Sequence, residues 1–263
     1  MNIISQSLRN QTSRCSLIPF ITAGYPDVNT TIKVMFELDN QGADIIELGI
    51  PYSDALADGP VIQNASLIAI KQKVYIDQVL LILTSVHKKI SIPIIIFTYY
   101  NPLLKRGISK FIKEIALLGV KGLIIPDLPL EEADNMIIIC EQEGIELILF
   151  VAPTSSLERT KLISQKSPGC IYLVSSTGVT GIRSSIDSKM IGLAKHIKSI
   201  SNKLVMLGFG ISNSSQVKDI ANWDVDGIVV GTAFIKRLSK PNLYERVNEI
   251  SSFCKSLRDA IDN

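Results

Sequence analysis

The sequence of 263 residues has few of the groups that metal sites and nucleophilic triads use. It contains only two histidines, His87 and His196, both in segments with a helical pattern. Its four cysteines are far apart, with no CxxC pair and no Cys/His cluster: Cys15, Cys140, Cys170 and Cys254. This spacing favours buried free thiols in a reducing compartment over a metal site. Any catalysis must therefore use carboxylates, hydroxyls or backbone groups, and we expect no metal.

Net charge and long apolar runs are also scarce. The 27 basic and 25 acidic residues leave a net charge of +2, which gives no argument for nucleic acid or membrane binding. No uninterrupted apolar stretch approaches the ~18 residues of a membrane span, and the N-terminus lacks the apolar core of a signal peptide. We therefore expect a soluble, cytoplasmic protein whose substrate is a small molecule.

The sequence does contain a regular alternation of short β-type runs and longer helical patterns. The predicted strands cover residues 17–23, 44–50, 92–99, 122–127, 145–152, 170–176, 203–210 and 226–232. Helices are predicted near 28–41, 61–71, 76–88, 103–118, 131–143, 156–166, 186–199, 213–221 and 241–258. Eight such units favour an α/β fold, a (β/α)8 TIM barrel with residues 1–263 as a single domain. An open doubly wound sheet stays possible, because periodicity cannot show closure. The absence of GxGxxG after the first strand weakens a dinucleotide site.

One carboxylate lies inside an apolar run. Glu47 interrupts the second predicted strand, on the same face as Ile45 and Gly49. Burying an unpaired carboxylate costs several kcal/mol, so such a residue is paired or used. The loop that follows carries Asp54 and Asp58. Asp54 fits an ordinary surface acid, whereas Glu47 and Asp58 can converge on one pocket, as general acid/base catalysis requires.

Small and aromatic residues gather at the same strand ends. In a parallel barrel this rim holds the active site, and its last loops often bind phosphate through backbone N–H groups. The glycines of three neighbouring loops predict such an anion site: Gly178, Gly181, Gly208, Gly210 and Gly231, the last with Thr232. Residues near the strand ends fit either an apolar wall of this site or the barrel core, and core is the better fit for most of them, Phe209 least: Phe20, Phe97, Tyr99, Ile124, Phe209 and Val229.

A Schiff-base aldolase would need a lysine at a strand end. The rim offers none, since Lys203 opens the seventh strand and does not close it.

Several stretches resemble the tryptophan synthase α chain. They are ELGIPYSDALADGPVIQ, IIPDLPLEE, SSTGVTGIR, GFGIS and GIVVGTA, and the resemblance extends from about residue 15 to 258 in the order and spacing of the family. It implies a barrel lyase that cleaves indole-3-glycerol phosphate to indole and glyceraldehyde 3-phosphate. It also implies an α2β2 complex with a β chain that holds pyridoxal phosphate, and no cofactor in this chain. A non-catalytic chain that mainly activates the β chain is the alternative.

The resemblance also assigns roles to residues. The catalytic glutamate and aspartate match Glu47 and Asp58, the substrate-positioning tyrosine matches Tyr172, and the loop threonine matches Thr180. The implied phosphate site comprises Gly181, Gly210, Gly231 and Thr232, and the implied indole pocket comprises Phe20, Phe97, Tyr99, Ile124 and Phe209. Asp127 would link the pocket to the Asp58 loop, through Thr180.

Two physical expectations follow for these residues. Apolar surroundings should raise the pKa of Glu47, so that it can donate a proton. Ala55 stands where the family usually has proline, so the loop should be less restricted and its ordering or its coupling to a partner somewhat weaker.

Overall fold

The computed structural model describes residues 2–9, 13–174, 189–208 and 210–263. Eight parallel strands, in sequence order, close into a barrel. They are β1 (Ser16–Thr22), β2 (Ile46–Gly49), β3 (Ile94–Phe97), β4 (Val120–Ile124), β5 (Glu146–Val151), β6 (Cys170–Val174), β7 (Leu204–Gly208) and β8 (Gly227–Val230). The prediction of a TIM barrel is confirmed, and the open sheet is excluded because β1 pairs with both β2 and β8.

The strands form where the sequence concentrates branched apolar residues. All seven residues of β1 are buried, as are all four of β2 and all four of β3. Burial on both faces explains why the runs are nearly continuous and not alternating. The register places Phe20 beside Glu47 and Glu47 beside Ile95, so these three side chains share the interior face of the barrel.

The helices surround the barrel. They are α1 (Ile3–Arg9), α2 (Val28–Asn40), α3 (Pro60–Lys71), α4 (Ile76–Val86), α5 (Tyr100–Arg106), α6 (Ile108–Leu117), α7 (Ala133–Gln142), α8 (Leu157–Lys166), α9 (Lys189–Ile200), α10 (Ser214–Ala221), α11 (Thr232–Arg237) and α12 (Leu243–Asp262). A short 3₁₀ helix, Leu130–Glu132, precedes α7. His196 lies in α9, as predicted. His87 was predicted within a helix at 76–88, but α4 ends at Val86 and His87 is the first residue after it.

The sequence-based helices needed three corrections. The single helix predicted for 103–118 is two helices, because Gly107 separates them with a φ of +91° that residues with a side chain rarely adopt. The helix α11 directly after β8 and the helix α1 at the N-terminus were both missed.

Helix α1 closes the end of the barrel opposite the predicted rim. Its Ile4 and Leu8 side chains pack against the backbone of Gly122 and Gly227, where an added Cβ would lie about 3.0 Å from each. The buried carboxylate of Glu146, at the start of β5, accepts hydrogen bonds from the Ser5 N–H at 3.0 Å and from the Ser5 hydroxyl. It also accepts one from the Cys170 N–H at 2.9 Å. The barrel is therefore filled and anchored at this end, which leaves the opposite rim for function.

All four cysteines are buried and unpaired, as predicted. Among the described residues, no helix is both long and apolar enough to cross a membrane.

Candidate active site

Two carboxyl groups meet in a cleft at the C-terminal ends of the strands. Glu47 is 1% exposed and Asp58 is 4% exposed, and both line the cleft. Its other lining residues come from β1, β3, β6, β8, helix α3, the loops after β7 and β8, and the start of α11: Phe20, Ile62, Phe97, Tyr172, Gly210, Val229, Gly231 and Thr232. The structure thus brings the predicted acid pair together with three residues of the predicted wall and with parts of two glycine loops: Phe20, Phe97 and Val229, and Gly210, Gly231 and Thr232.

Glu47 occupies an apolar environment. Its Oε2 atom is buried and has no hydrogen-bond partner among the described residues. Burial, and secondarily the charge of Asp58, raises the pKa of Glu47 from 4.5 to about 8. This confirms the expected direction of the shift. Glu47 is therefore a carboxyl group that can hold a proton at neutral pH.

Asp58 has a more polar environment. The hydroxyl of Tyr99 donates a hydrogen bond to Asp58 Oδ2 at 2.9 Å. Burial raises the pKa of Asp58 from 3.8 to about 6, and the bond from Tyr99 lowers it and so opposes part of that rise. The two neighbouring carboxyl groups therefore differ in pKa by about two units: burial raises both, the charge of Asp58 adds to the rise at Glu47, and the bond from Tyr99 limits the rise at Asp58.

Tyr99 holds the Asp58 loop. Its hydroxyl oxygen also accepts a hydrogen bond from the Ala57 N–H at 3.1 Å, while its ring packs on that of Tyr52 at 5.2 Å. Burial, and then the charge of Asp58 and the hydrogen bond to it, raise the pKa of Tyr99. The sequence placed Tyr99 among the residues that touch the indole ring, but it does not line the cleft as described, and its polar contact is with Asp58.

Asp127 lies outside the cleft. It is exposed, and its Oδ1 accepts a hydrogen bond from the Tyr100 N–H at 2.9 Å. Its connection to Asp58 therefore runs through the neighbouring residues Tyr99 and Tyr100. The route predicted through Thr180 lies outside the described residues.

Tyr172 is buried against the floor of the cleft. Burial, then the charges of Glu47 and Asp58, raise the pKa of its hydroxyl, so the group stays protonated. Gly208 is required beside it, since a Cβ there would lie 2.0 Å from the tyrosine oxygen. Phe150 packs its ring on Tyr172 at 4.7 Å. Phe150 was not predicted, although it stands near the end of a predicted strand.

The apolar wall consists of edge-to-face rings. The Phe20 and Phe97 rings are 5.7 Å apart at 83°, and the Phe97 and Tyr99 rings are 6.1 Å apart at 82°. Ile124 is buried and pairs in register with Phe97, so it lies on the same face of the sheet. Gly49 leaves room for Phe20, because a Cβ there would lie 2.7 Å from the ring.

Other predicted residues either lie outside the described part of the chain or do not line the cleft. Thr180, Gly181 and Phe209 lie outside the described residues, as does Gly178. Asp54 is exposed on the surface, where it accepts a hydrogen bond from Ser53, and it does not line the cleft. Within the described part of the chain, no group of three or more His, Cys, Asp or Glu residues could hold a metal ion.

Comparison with known proteins agrees with this geometry. The family model for the tryptophan synthase alpha chain matches residues 6–262. The tryptophan synthase alpha chain of Antithamnion sp. is 64% identical over 260 residues, which cover 99% of each chain. A chain of Mycobacterium tuberculosis tryptophan synthase superposes with a TM-score of 0.88 at 31% identity, over 99% of this chain and 97% of that one.

A chain of the tryptophan synthase α2β2 complex from Pyrococcus furiosus superposes with a TM-score of 0.87 at 34% identity, over 94% and 98% of the two chains. These matches extend over nearly the whole of this chain. The chain belongs to the tryptophan synthase alpha chain family.

Proposed function

We propose that this chain cleaves indole-3-glycerol phosphate to indole and glyceraldehyde 3-phosphate, with Glu47 as general acid and base and Asp58 as the stabilising anion. The observation that carries the proposal is the pair of buried carboxyl groups with separated pKa values in one cleft. Such a pair divides the tasks of proton donor and anion between two residues of the same chemical type.

The protonation states suit this division. At pH 7, a pKa of about 8 leaves Glu47 protonated in a ratio of about ten to one. At the same pH, a pKa of about 6 leaves Asp58 ionised in a ratio of about ten to one. The predominant form therefore has one acid and one carboxylate, which is what the first step of the cleavage needs.

The reaction divides into two proton transfers. Glu47 first donates its proton to C3 of the indole ring, which converts the ring to a cation with the charge centred on its N–H. The carboxylate of Asp58 stabilises that charge. Glu47, now ionised, then removes the proton from the hydroxyl on the carbon attached to C3. The electrons of that O–H bond form the aldehyde, the carbon–carbon bond breaks, and its electron pair neutralises the ring.

The atoms and charges of these two proton transfers balance, and the catalyst is regenerated. Glu47 ends protonated as it began, and no metal or redox group takes part. General acid–base assistance of this kind contributes about 10²–10⁴ in rate. Tyr172, held protonated beside both carboxyl groups, is positioned to donate a hydrogen bond to the substrate.

The remaining predicted residues have proposed roles in binding. The phosphate would contact backbone N–H groups at Gly210, Gly231 and Thr232, which line the cleft, together with Gly181. Phe20 and Phe97 would contact the indole ring together with Ile124 and Phe209, and Thr180, the counterpart of the family's loop threonine, would help to position the substrate. Tyr99 and Asp127 would act through the Asp58 loop.

We also propose that the chain assembles with a tryptophan synthase β chain, in which pyridoxal phosphate is expected. The surface beside the Asp58 loop supports a partner. Leu56, within that loop, is 85% exposed, and Leu104 on α5 is 52% exposed. A partner that covers this surface would contact the segment that carries Asp58.

The test is indole release from indole-3-glycerol phosphate, measured with and without a cognate β chain. We expect release that rises when the β chain is added and that falls by at least 10²-fold in Glu47→Gln. Asp54→Asn, an exposed acid of the same loop, is the control and should retain activity. If the folded wild-type chain releases no indole even with the β chain, the alternative of a non-catalytic activating subunit gains support, and stimulation of the β chain would then be measured.

A further inference from the structure

The segment that presents Asp58 is a four-residue turn held by a side chain to which no role has been assigned. The Asp58 N–H donates a hydrogen bond to the Ala55 carbonyl at 3.1 Å, which closes the turn. The side-chain Nε2 of Gln63 donates to the same Ala55 carbonyl at 3.1 Å and to the Asp58 carbonyl at 2.9 Å. One amide group therefore joins the first and last residues of the turn.

The position of Gln63 is set by the start of α3. This helix begins at Pro60, and the Gln63 N–H donates to the Gly59 carbonyl at 2.9 Å. The proline fixes φ at the first helical position and so fixes the direction in which the helix leaves the turn. A glutamine amide has two N–H donors, which equals the number of turn carbonyls that it contacts.

The turn has a second support of a different kind. Tyr99 contacts the Ala57 N–H and the carboxylate of Asp58, so its removal changes the carboxylate directly. Gln63 contacts only backbone carbonyls of the turn. Leu56, the second residue of the turn, is 85% exposed and contributes little packing to hold the turn in place. Ala55 and Asp58, the two ends of the turn, are buried, and the two hydrogen bonds from Gln63 join the carbonyls of these same two residues.

We infer that Gln63 is a positioning residue that keeps the Asp58 carboxylate directed into the cleft beside Glu47. The inference rests on the proposed role of Asp58. Without the Gln63 amide the turn can open, the carboxylate can move outward, and the charge that stabilises the indole cation is misplaced. A displacement of about 1 Å at such a group can cost about 10²-fold in rate.

Loss of the one support and loss of the other should shift the pKa of Asp58 in opposite directions. The groups that face Asp58 are Glu47 and Tyr172, which line the cleft, and the Tyr99 hydroxyl, which donates to it. Burial raises the pKa of Asp58 and the tyrosine bond lowers it. Loosening the turn at Gln63 hydrates the carboxylate, and its pKa falls. Removal of the Tyr99 hydroxyl leaves the carboxylate buried without its donor, and its pKa rises.

The experiment uses the full α chain in complex with its cognate β chain. Gln63→Met keeps the side-chain length without donors, and Gln63→Glu keeps length and polarity without donors at the assay pH. The matched control is Gln72→Met. Gln72 lies at the other end of α3, and its Nε2 likewise donates to two carbonyls, those of Pro26 at 2.6 Å and Ile68 at 3.3 Å.

We expect kcat to fall about 10- to 100-fold in both Gln63 variants, with KM for indole-3-glycerol phosphate changed by less than about threefold. For Gln63→Met, the acidic limb of the kcat/KM profile should move to lower pH relative to wild type, whereas the new carboxylate of Gln63→Glu lies beside Asp58 and opposes that shift. Gln72→Met should match the wild type in both readouts. A folded Gln63 variant with wild-type kcat and an unmoved acidic limb would overturn the inference. So would two Gln63 variants that fail to fold, since the bonds would then hold the fold and not Asp58 in particular.

Asp58→Asn distinguishes failure of the inference from failure of the proposed function. If Asp58→Asn is inactive and the Gln63 variants are normal, only the role of Gln63 is wrong. If Asp58→Asn retains wild-type activity, the proposed role of Asp58 is wrong, and the inference about Gln63 is overturned with it.

Discussion

Replacement of Glu47 by glutamine should stabilise the fold at pH 8 much more than at pH 5. The pKa of Glu47 is about 8 in the folded chain against 4.5 for the free side chain, so the folded state holds this proton more tightly than the unfolded state. Because the pKa of Glu47 is raised in the folded state, the fold loses stability as pH rises from about 4.5 to about 8, and the loss is constant above that range. Glutamine does not titrate and escapes this loss.

The magnitude follows from the shift. Each pKa unit corresponds to about 1.4 kcal/mol, so Glu47 should destabilise the wild type by about 4 kcal/mol at pH 8 and about 1 kcal/mol at pH 5. The new amide group has its own packing and hydrogen-bonding cost, but that cost is the same at both pH values and cancels in the difference. Glu47→Gln should therefore gain about 3 kcal/mol relative to wild type between pH 5 and pH 8.

The assay is urea unfolding of the wild type and the variant at the two pH values, without ligand. Glu146→Gln is the control, because this equally buried carboxylate accepts three hydrogen bonds from Ser5 and Cys170, and an amide N–H₂ would face those donors. It should lose about 1–3 kcal/mol at pH 8. An equal effect of Glu47→Gln at pH 5 and pH 8 would refute the explanation that burial raises the pKa of Glu47.

Three further predictions concern the surroundings of the site. Tyr99→Phe removes the donor to Asp58 and should move the acidic limb of the kcat/KM profile to higher pH than in wild type, and an unchanged limb would contradict the assigned bond. Ala55→Pro should reduce the conformational freedom of the loop, which corresponds to about 0.4–1 kcal/mol of stability, and should strengthen activation by the β chain. Unchanged affinity for the β chain and unchanged activation in titrations with it would exclude a role for this position. Glu146→Ala leaves the Ser5 and Cys170 donors buried without their acceptor and should speed amide hydrogen exchange throughout α1, while unaltered exchange would show that apolar packing alone anchors that helix.

The strands of the barrel could be read from the sequence because local composition determines them. Runs such as the one at Ile94–Phe97 are apolar on both faces, and only a buried parallel strand requires that. Glu47 was found for the complementary reason, since a charged residue inside such a run has no ordinary structural explanation. Periodicity could not show closure of the barrel, which was favoured by the count of eight βα units and then implied by the resemblance to a known family.

The missed elements depend on contacts between distant segments. Helix α1 has only seven residues, and its Ile4 and Leu8 become a recognisable apolar face only against the end of the barrel. Gly107 was a possible position for a break, since glycine is the residue that most readily adopts a positive φ. A glycine inside a helical pattern does not by itself predict that the helix breaks there.

The contacts of Tyr99 and Gln63 were beyond the sequence for a geometric reason. An aromatic residue near a strand end predicts a wall of the pocket, and the sequence was interpreted in that way. The hydrogen bonds of both side chains go to the turn after β2, which follows a different strand from Tyr99 and precedes Gln63 by a few residues, and the conformation of the turn sets their partners. The sequence thus located the acid pair, whereas the structure was needed to identify what holds Asp58.

The most direct test of the account is the basic limb of the pH dependence of kcat/KM for indole-3-glycerol phosphate, between pH 6.5 and 9.5 on the wild-type complex. That profile reports ionisations of the free enzyme and substrate, and the phosphate of the substrate titrates near pH 6, outside this range. The account predicts a decline with an apparent pKa of about 8, as Glu47 loses the proton that it must donate. Activity that stays level through pH 9.5, or that rises across it, would contradict the central claim that protonated Glu47 starts the reaction.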